Sequence, residues 1–329
     1  MTLFAATLPT EPTGHCNPYL GRNPCEMVES TRSIGPEDFR GDFVERYRPL
    51  LIEGGVAHWD AMRLWNNDYL RERVGFHTVS VETSRDQFEG RIFTDAEKVE
   101  MPFSRFLDRL SLPAGETDYF VAAFQFPELL ADMPDIAVSS VFGMQHRQRM
   151  LMTRGGNYIA FHYDWYQNLL CQVAGSKTLI LADITNTPNM YRLLETQMPN
   201  YSPINLREPN TDRYPDFARA PLIRVDLEAG DVLYLPPLWW HTVESRDRNI
   251  AISISFFETN AELLYMLRKM SDHRAFGLPA NEEAHIRSIL DGHDGDRDKL
   301  RAIRRYASDK RLSPVLMFFG QRNLRYWTT

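Results

Sequence analysis

The chain has 329 residues, of which 43% are hydrophobic, with a net charge of -7 and three cysteines. That length can bury a full core, while an acidic total disfavours broad nucleic-acid binding, which needs a basic face. An odd cysteine count without a CxxC pair excludes a disulfide framework and a zinc-finger pattern, and no run approaches the roughly 18 apolar residues of a membrane span. Residues 1–8 are apolar but lack the basic start of a signal peptide, so a soluble cytoplasmic protein is expected, or a nuclear one in a eukaryote.

Residues 1–33 carry scattered prolines (Pro9, Pro12, Pro18, Pro24) without periodicity and read as an irregular arm. Pro36 suits the first turn of a helix running to about Tyr47, and 49–54 is a short buried strand. A short helix is expected over 67–74, an alternating strand over 77–82, a helix over 101–110 and a strand over 119–124. From 147 to 257 strand follows strand: 148–154, 157–163, 168–174, 177–183, 222–227, 231–236, 239–246 and 250–257. Short strands punctuated by Gly155-Gly156, Gly175-Ser176 and Ala229-Gly230 indicate a sandwich or barrel. The exception is 184–221, a proline-rich insert whose length marks it as functional. Residues 261–329 read as helices. They hold 13 Lys and Arg against 9 Asp and Glu. Apolar stripes mixed with charge suit a partner helix, so this tail is expected to form a homodimer rather than an RNA grip.

The chemistry centres on Phe161-His162-Tyr163-Asp164. In a strand, residues i and i+2 share a face, so His162 and Asp164 are expected to point the same way, and His241 can join them from another strand. Two imidazoles and one carboxylate leave open positions on an octahedral ion, an arrangement that suits non-haem Fe(II). An HxD pair alone is a common coincidence, and no HExxH helix supplies the base of a zinc hydrolase. Lys177 follows Gly175-Ser176, read as a two-residue hairpin turn that pairs Ala174 with Lys177 and Asn168 with Asp183. Positions 168, 170, 172, 174 and 177 then share a face, so Lys177 and Asn168 look into one space. A lysine at a hairpin end ordinarily faces water. The alternative is a cation awaiting a carboxylate, and a dianionic 2-oxoglutarate would neutralise both the iron site and Lys177.

At these residues the sequence resembles the JmjC-type (cupin-8) iron(II)/2-oxoglutarate oxygenases. The matching residues are His162-Tyr163-Asp164, Gln167-Asn168, Gly175-Ser176-Lys177, 213–217, 230–236, Trp239-Trp240-His241 and Glu244-Ser245. The segment is similar to the hypoxia-factor asparaginyl hydroxylase, the small JmjC hydroxylases and the tRNA wybutosine hydroxylase, specifically across about 147–258 and more weakly from 34.

The resemblance implies a mainly β fold with flanking helices: a double-stranded β-helix (jelly-roll, cupin) catalytic domain over 34–260, followed by the helical region 261–329. It implies iron ligation by His162, Asp164 and His241. Lys177 would hold the distal carboxylate of 2-oxoglutarate, and Asn168, Tyr119 and Ser255 would line the cosubstrate pocket. Trp165, Tyr166 and Trp239 would line a substrate cleft. The implied reaction consumes O2, converts 2-oxoglutarate to succinate and CO2, and hydroxylates a C–H bond. The chain departs from the pattern at Ile159, where many relatives carry Thr, at Ser255, where many carry Asn, and at Phe257, where many carry Trp. The substrate stays open among a protein or peptide side chain, a small molecule and a tRNA base, and a metal-binding cupin without oxygenase turnover is the reading from another class.

Overall fold

A computed structural model of the chain describes residues 25–82, 98–111, 120–124, 126–141, 146–193, 200–256, 264–265, 267–269, 271, 278–292 and 295–307. Tyr119 and Phe257 lie outside the described residues, as does most of the N-terminal arm. The fourteen described strands are β1 (Cys25–Met27), β2 (Ser30–Thr31), β3 (Leu50–Ile52), β4 (Thr78–Glu82), β5 (Lys98–Pro102), β6 (Phe120–Phe124), β7 (His146–Thr153), β8 (Tyr158–His162), β9 (Gln167–Ala174), β10 (Lys177–Ala182), β11 (Leu222–Leu227), β12 (Val232–Leu235), β13 (Trp240–Ser245) and β14 (Asn249–Phe256). The helices are α1 (Pro36–Phe39), α2 (Ala61–Leu64), α3 (Asn67–Val74), α4 (Phe103–Leu110), α5 (Ala280–Gly292) and α6 (Asp296–Ala307).

The strands form two sheets, ordered β1-β11-β10-β13-β8 and β2-β3-β12-β9-β14-β7-β6-β4-β5. Their central four-strand sets face each other as the double-stranded β-helix. Strand alternation sorts the apolar residues into three layers. Leu170, Leu179, Leu181, Val225, Leu227, Leu233, Leu235 and Ala251 fill the space between the sheets. Their strand neighbours Leu169, Cys171, Ile250, Ile252 and Ile254 face outward under the N-terminal helices. Ile180, Ala182 and Trp240 pack against the insert and the C-terminal helices. Burial on both faces explains why β10 carries the continuous apolar run Leu179 to Ala182.

Several expectations change. The helix beginning at Pro36 is α-helical only to Phe39 and continues as a π-helix over Arg40–Val44. Within the expected arm, β1 and β2 add parallel strands to β11 and β3. The C-terminal stripe is buried in this chain: Leu264, Leu267, Ile286, Ile289, Leu290, Leu300 and Ile303 join the outer cluster on the first sheet.

The largest change concerns Gly175-Ser176. It is not a hairpin turn. β9 pairs with β12 and β14, whereas β10 pairs with β11 and β13 in the other sheet. The turn therefore carries the chain across the sandwich, which a two-residue turn signal cannot distinguish from a hairpin. It is braced by the β13–β14 turn: Ser176 N–H donates to Asp247 Oδ1 at 2.9 Å and Asn249 Nδ2 donates to Ser176 O at 2.8 Å. Gly175 has φ +69, and a Cβ there would stand 2.2 Å from Arg248 O. Gly175→Ala is expected to destabilise the protein by about 1–3 kcal/mol from backbone strain alone, with the overlap adding to it. An unchanged melting temperature would show that the crossing is not so confined.

Candidate metal centre

His162 ends β8 and His241 lies near the start of β13, and the register pairs them directly. From His241 to Val243 the partner on β8 moves from His162 to Ile159, so β8 carries one extra residue, a β-bulge. Ile159 packs on the interior cluster. In a regular strand His162, three residues on, would face outward; the bulge restores it to the interior beside His241. The two rings lie 4.1 Å apart between centroids.

Asp164 does not share a strand with His162, as the i, i+2 argument assumed. It follows the strand end, in the β8–β9 connection, where its carbonyl accepts from Leu238 N–H at 2.8 Å. The insert pins the same turn. Tyr163 N–H donates to Asn200 O at 3.1 Å and Ser202 N–H to Phe161 O at 2.8 Å. Tyr201 stacks on the His162 ring at 5.0 Å and 14°. These supports bring one ligand atom each of His162, Asp164 and His241 within 4.8 Å of one another, with Asp164 Oδ2 3.9 Å from His241 Nε2.

The donor chemistry fits a metal. His162 Nδ1 lies 2.9 Å from Ala160 O, and His241 Nδ1 lies 2.9 Å from Trp239 O. A carbonyl only accepts, so each Nδ1 carries the proton and each Nε2 presents a lone pair. Burial, with repulsion from His162, lowers the His241 pKa to about 3, so that imidazole is neutral at physiological pH. Two such nitrogens and one carboxylate constitute the facial set of non-haem Fe(II) sites.

Lys177 lies deep on the same interior face, in line with Leu179 and Leu181 along β10. Its register partner on β13 is Ser245, and Leu181, four residues on, partners His241. About 13 Å of strand separates the two levels, a span that a lysine side chain and a five-carbon diacid fill together. Lys177 is 3% exposed, and its Nζ donates to Ser245 Oγ at 3.0 Å. Burial lowers its pKa to about 7, with attraction from Asp247 opposing. A buried amine held by one neutral hydroxyl fits an incoming carboxylate. Ser245, part of the Glu244-Ser245 match, was not expected as a site residue.

At the metal end Asn168 and Ser255 are register partners. Asn168 Oδ1 accepts from Ser253 Oγ at 2.9 Å, and Ser255 Oγ donates to Arg147 O at 3.3 Å. Of the three aromatics expected at the cleft, Trp165 is 5% exposed and packs edge-on to Tyr163. Trp239 Nε1 donates to Tyr47 O at 2.8 Å. Tyr166 Oη accepts from Arg149 at 2.7 Å, and the Asp164 carboxylate lies close enough to act electrostatically on both groups. Burial, joined by the nearby Asp164 charge, raises the Tyr166 pKa well above the ordinary phenol value. Burial opposes the Arg149 cation, yet Tyr166 and Asp164 more than offset it and its pKa is raised. Arg149 was not expected in the site; it closes the polar run His146-Arg147-Gln148-Arg149, directly before the apolar Met150-Leu151-Met152, and nothing in that pattern sets it apart.

Residues 36–262 match the family model described as Cupin-like domain. The chain is 29% identical to lysine-specific demethylase JMJ30 of Arabidopsis thaliana over 245 residues, 72% of this chain and 56% of that protein. It is 25% identical to the human bifunctional peptidase and (3S)-lysyl hydroxylase JMJD7, covering 78% of this chain and 88% of that protein. It is 26% identical to tRNA wybutosine-synthesizing protein 5 of Gallus gallus, covering 73% and 80%. Against the demethylase-named relatives from Arabidopsis, Xenopus and Danio the match spans only 45–59% of their length. JmjC-type enzymes use Fe(II), 2-oxoglutarate and O2, and the His162, Asp164 and His241 set can bind the metal. With the two-sheet β core, the interior His-Asp-His set and a family match over two thirds of its length, this chain belongs to the cupin-like (JmjC-type) domain family.

Proposed function

We propose that this protein is an Fe(II)- and 2-oxoglutarate-dependent hydroxylase acting on a C–H bond of a protein or peptide side chain or of a small molecule. The observation that carries the reading is the pairing of two features on one interior face: a triad with both Nε2 atoms free to ligate, and a buried Lys177 at the far end.

In this reading His162, Asp164 and His241 hold Fe(II). Lys177 and Ser245 receive the distal carboxylate of 2-oxoglutarate, and Asn168 lines its path. Bound together, iron, 2-oxoglutarate and O2 supply the oxidising power, with succinate and CO2 released and one oxygen passed to the substrate. The chain binds, orients and excludes water. Leu170, Leu179, Leu181 and Leu235 give the cosubstrate channel dry walls. Ile159, partly buried against the same cluster, adds an apolar contact where a threonine would offer a hydroxyl. The neutral imidazole of His241 is ready to ligate without first losing a proton.

A tRNA base is the second reading, favoured by the similarity to proteins named for wybutosine synthesis. The net charge of -7 weighs against it. The test is succinate formation from 2-oxoglutarate with Fe(II), followed by a search of treated cell extract for protein, metabolite and tRNA species that gain one oxygen. Succinate production above the metal-free level, with a protein or metabolite product, supports the reading. An oxidised tRNA base moves the assignment to the second. Metal binding without any succinate would overturn both in favour of a non-oxygenase cupin.

A further inference from the structure

Resting on the metal-site reading, we infer that Arg149 and Tyr166 form a hydrogen-bond relay that orients Asp164 as a metal ligand, so that Tyr166 is a positioning residue rather than a wall of the substrate cleft.

The need for such a relay arises from the chain itself. His162 and His241 are each fixed twice, by the β-ladder and by a backbone carbonyl at Nδ1. Asp164 lies past the end of β8, and its backbone is held by Leu238. Its side chain is therefore the least constrained of the three. A carboxylate can rotate about its χ angles and offer either oxygen to an ion, or both. A hydrogen bond donated to one oxygen leaves the other for the metal.

Tyr166 supplies that bond. It lies two residues after Asp164, immediately before β9, so a short connection brings its hydroxyl back to the carboxylate. The hydroxyl oxygen accepts from Arg149 at 2.7 Å, which leaves its one proton to be donated to the neighbouring Asp164 carboxylate. Arg149 Cζ lies 5.8 Å from the centroid of the Tyr166 ring, so the cation also holds the ring over which it lies. The direction of the chain is thus fixed, from guanidinium to phenol to carboxylate. Chains of this kind polarise each member, so the bond reaching Asp164 is stronger than that of an isolated phenol.

Arg149 itself is anchored by register. It lies on β7 opposite Ser253 of β14 and Phe124 of β6, on the strand face shared with Leu151, which packs on the interior cluster. A rigid central strand therefore sets the geometry of a ligand carried on a connection. Sheet elements position a site more tightly than loops do.

The experiment measures metal affinity of the apo protein, not turnover. Mn(II) is titrated anaerobically into wild type, Asp164→Asn, Tyr166→Phe, Arg149→Gln and the Tyr166→Phe/Arg149→Gln double variant, with the melting temperature of each apo protein recorded. Wild-type binding that collapses in Asp164→Asn establishes the site; failure at that step refutes the metal reading itself. Given a working site, Tyr166→Phe is expected to weaken Mn(II) by about 10- to 100-fold with its apo melting temperature little changed. Arg149→Gln should weaken it less. The double variant should match Tyr166→Phe alone, because Arg149 acts through the phenol. Affinity within twofold of wild type in Tyr166→Phe would overturn the relay, as would additive losses in the double variant. If Tyr166→Phe lowers the apo melting temperature markedly, Arg149→Gln carries the test: unchanged affinity there overturns the relay, and a loss with a stable fold supports it.

Discussion

Asp164→Ala is expected to abolish both metal retention and succinate formation while leaving the fold intact. Asp164 is half-buried in a connection, so its loss removes no strand contact and little apolar packing. What it removes is the only anionic ligand of the set. A metal ion contributes several kcal/mol to the chemistry it supports, so turnover should fall by on the order of 10^3-fold or more. His162→Ala should do the same, with a further small loss of stability because Tyr201 stacks on that ring. Metal content after dialysis, read beside the thermal unfolding curve, checks the prediction. A variant that keeps its metal and turns over 2-oxoglutarate would place the iron elsewhere.

Lys177→Met is expected to cost cosubstrate affinity while sparing iron. Truncating one partner of a buried charge pair costs about 2–5 kcal/mol, which corresponds to a rise in the 2-oxoglutarate Kd of roughly 30- to 4,000-fold. The pH dependence gives a sharper signature. The Lys177 pKa is lowered to about 7 in the folded protein, against 10.5 for the free side chain, chiefly by burial. Above pH 7 the apo protein holds a neutral amine, whereas a bound carboxylate favours the ammonium. Binding must then take up a proton, so the Kd should rise by up to tenfold per pH unit above 7. Lys177→Met should flatten that slope.

Stability should move the other way. Between pH 7 and 10.5 the unfolded chain carries the extra proton, so wild-type apo protein gains stability as pH rises through this window. The gain is on the order of 5 kcal/mol over the full window, and below pH 7 both states are protonated and the penalty is constant. Lys177→Met lacks the penalty and should be the more stable protein at pH 7. A Lys177 variant with wild-type cosubstrate affinity would remove the residue from the pocket.

The strand count and most boundaries of the β core were legible because the strands alternate between two apolar layers and several are punctuated by glycine turns, at Gly155-Gly156, Gly175-Ser176 and Ala229-Gly230. The grouping of His162, Asp164 and His241 was legible too, through the family resemblance rather than through local spacing. The reasons behind it were not. The i, i+2 rule placed His162 and Asp164 on one strand, whereas the strand stops at His162 and a bulge, invisible in residue types, turns that ring inward. Gly175-Ser176 carries a hairpin's chemistry, and only the register shows that it changes sheets. Lys177 was right to stand out as a lysine in an apolar strand, but its partner Ser245 is 68 residues away, beyond any local pattern. Arg149 hid for the same reason. Trp165, beside a ligand, looked like a cleft residue and is packing.

The central claim is that one interior face holds Fe(II) at His162, Asp164 and His241 and 2-oxoglutarate between that metal and Lys177. Its most direct test is an anaerobic titration of Fe(II) and then 2-oxoglutarate into the apo protein, followed by visible absorption. A weak charge-transfer band that saturates at one iron and one 2-oxoglutarate per chain, vanishes in Asp164→Ala and needs far more 2-oxoglutarate in Lys177→Met is the expected result. Iron binding with no band at any concentration of 2-oxoglutarate would contradict the claim.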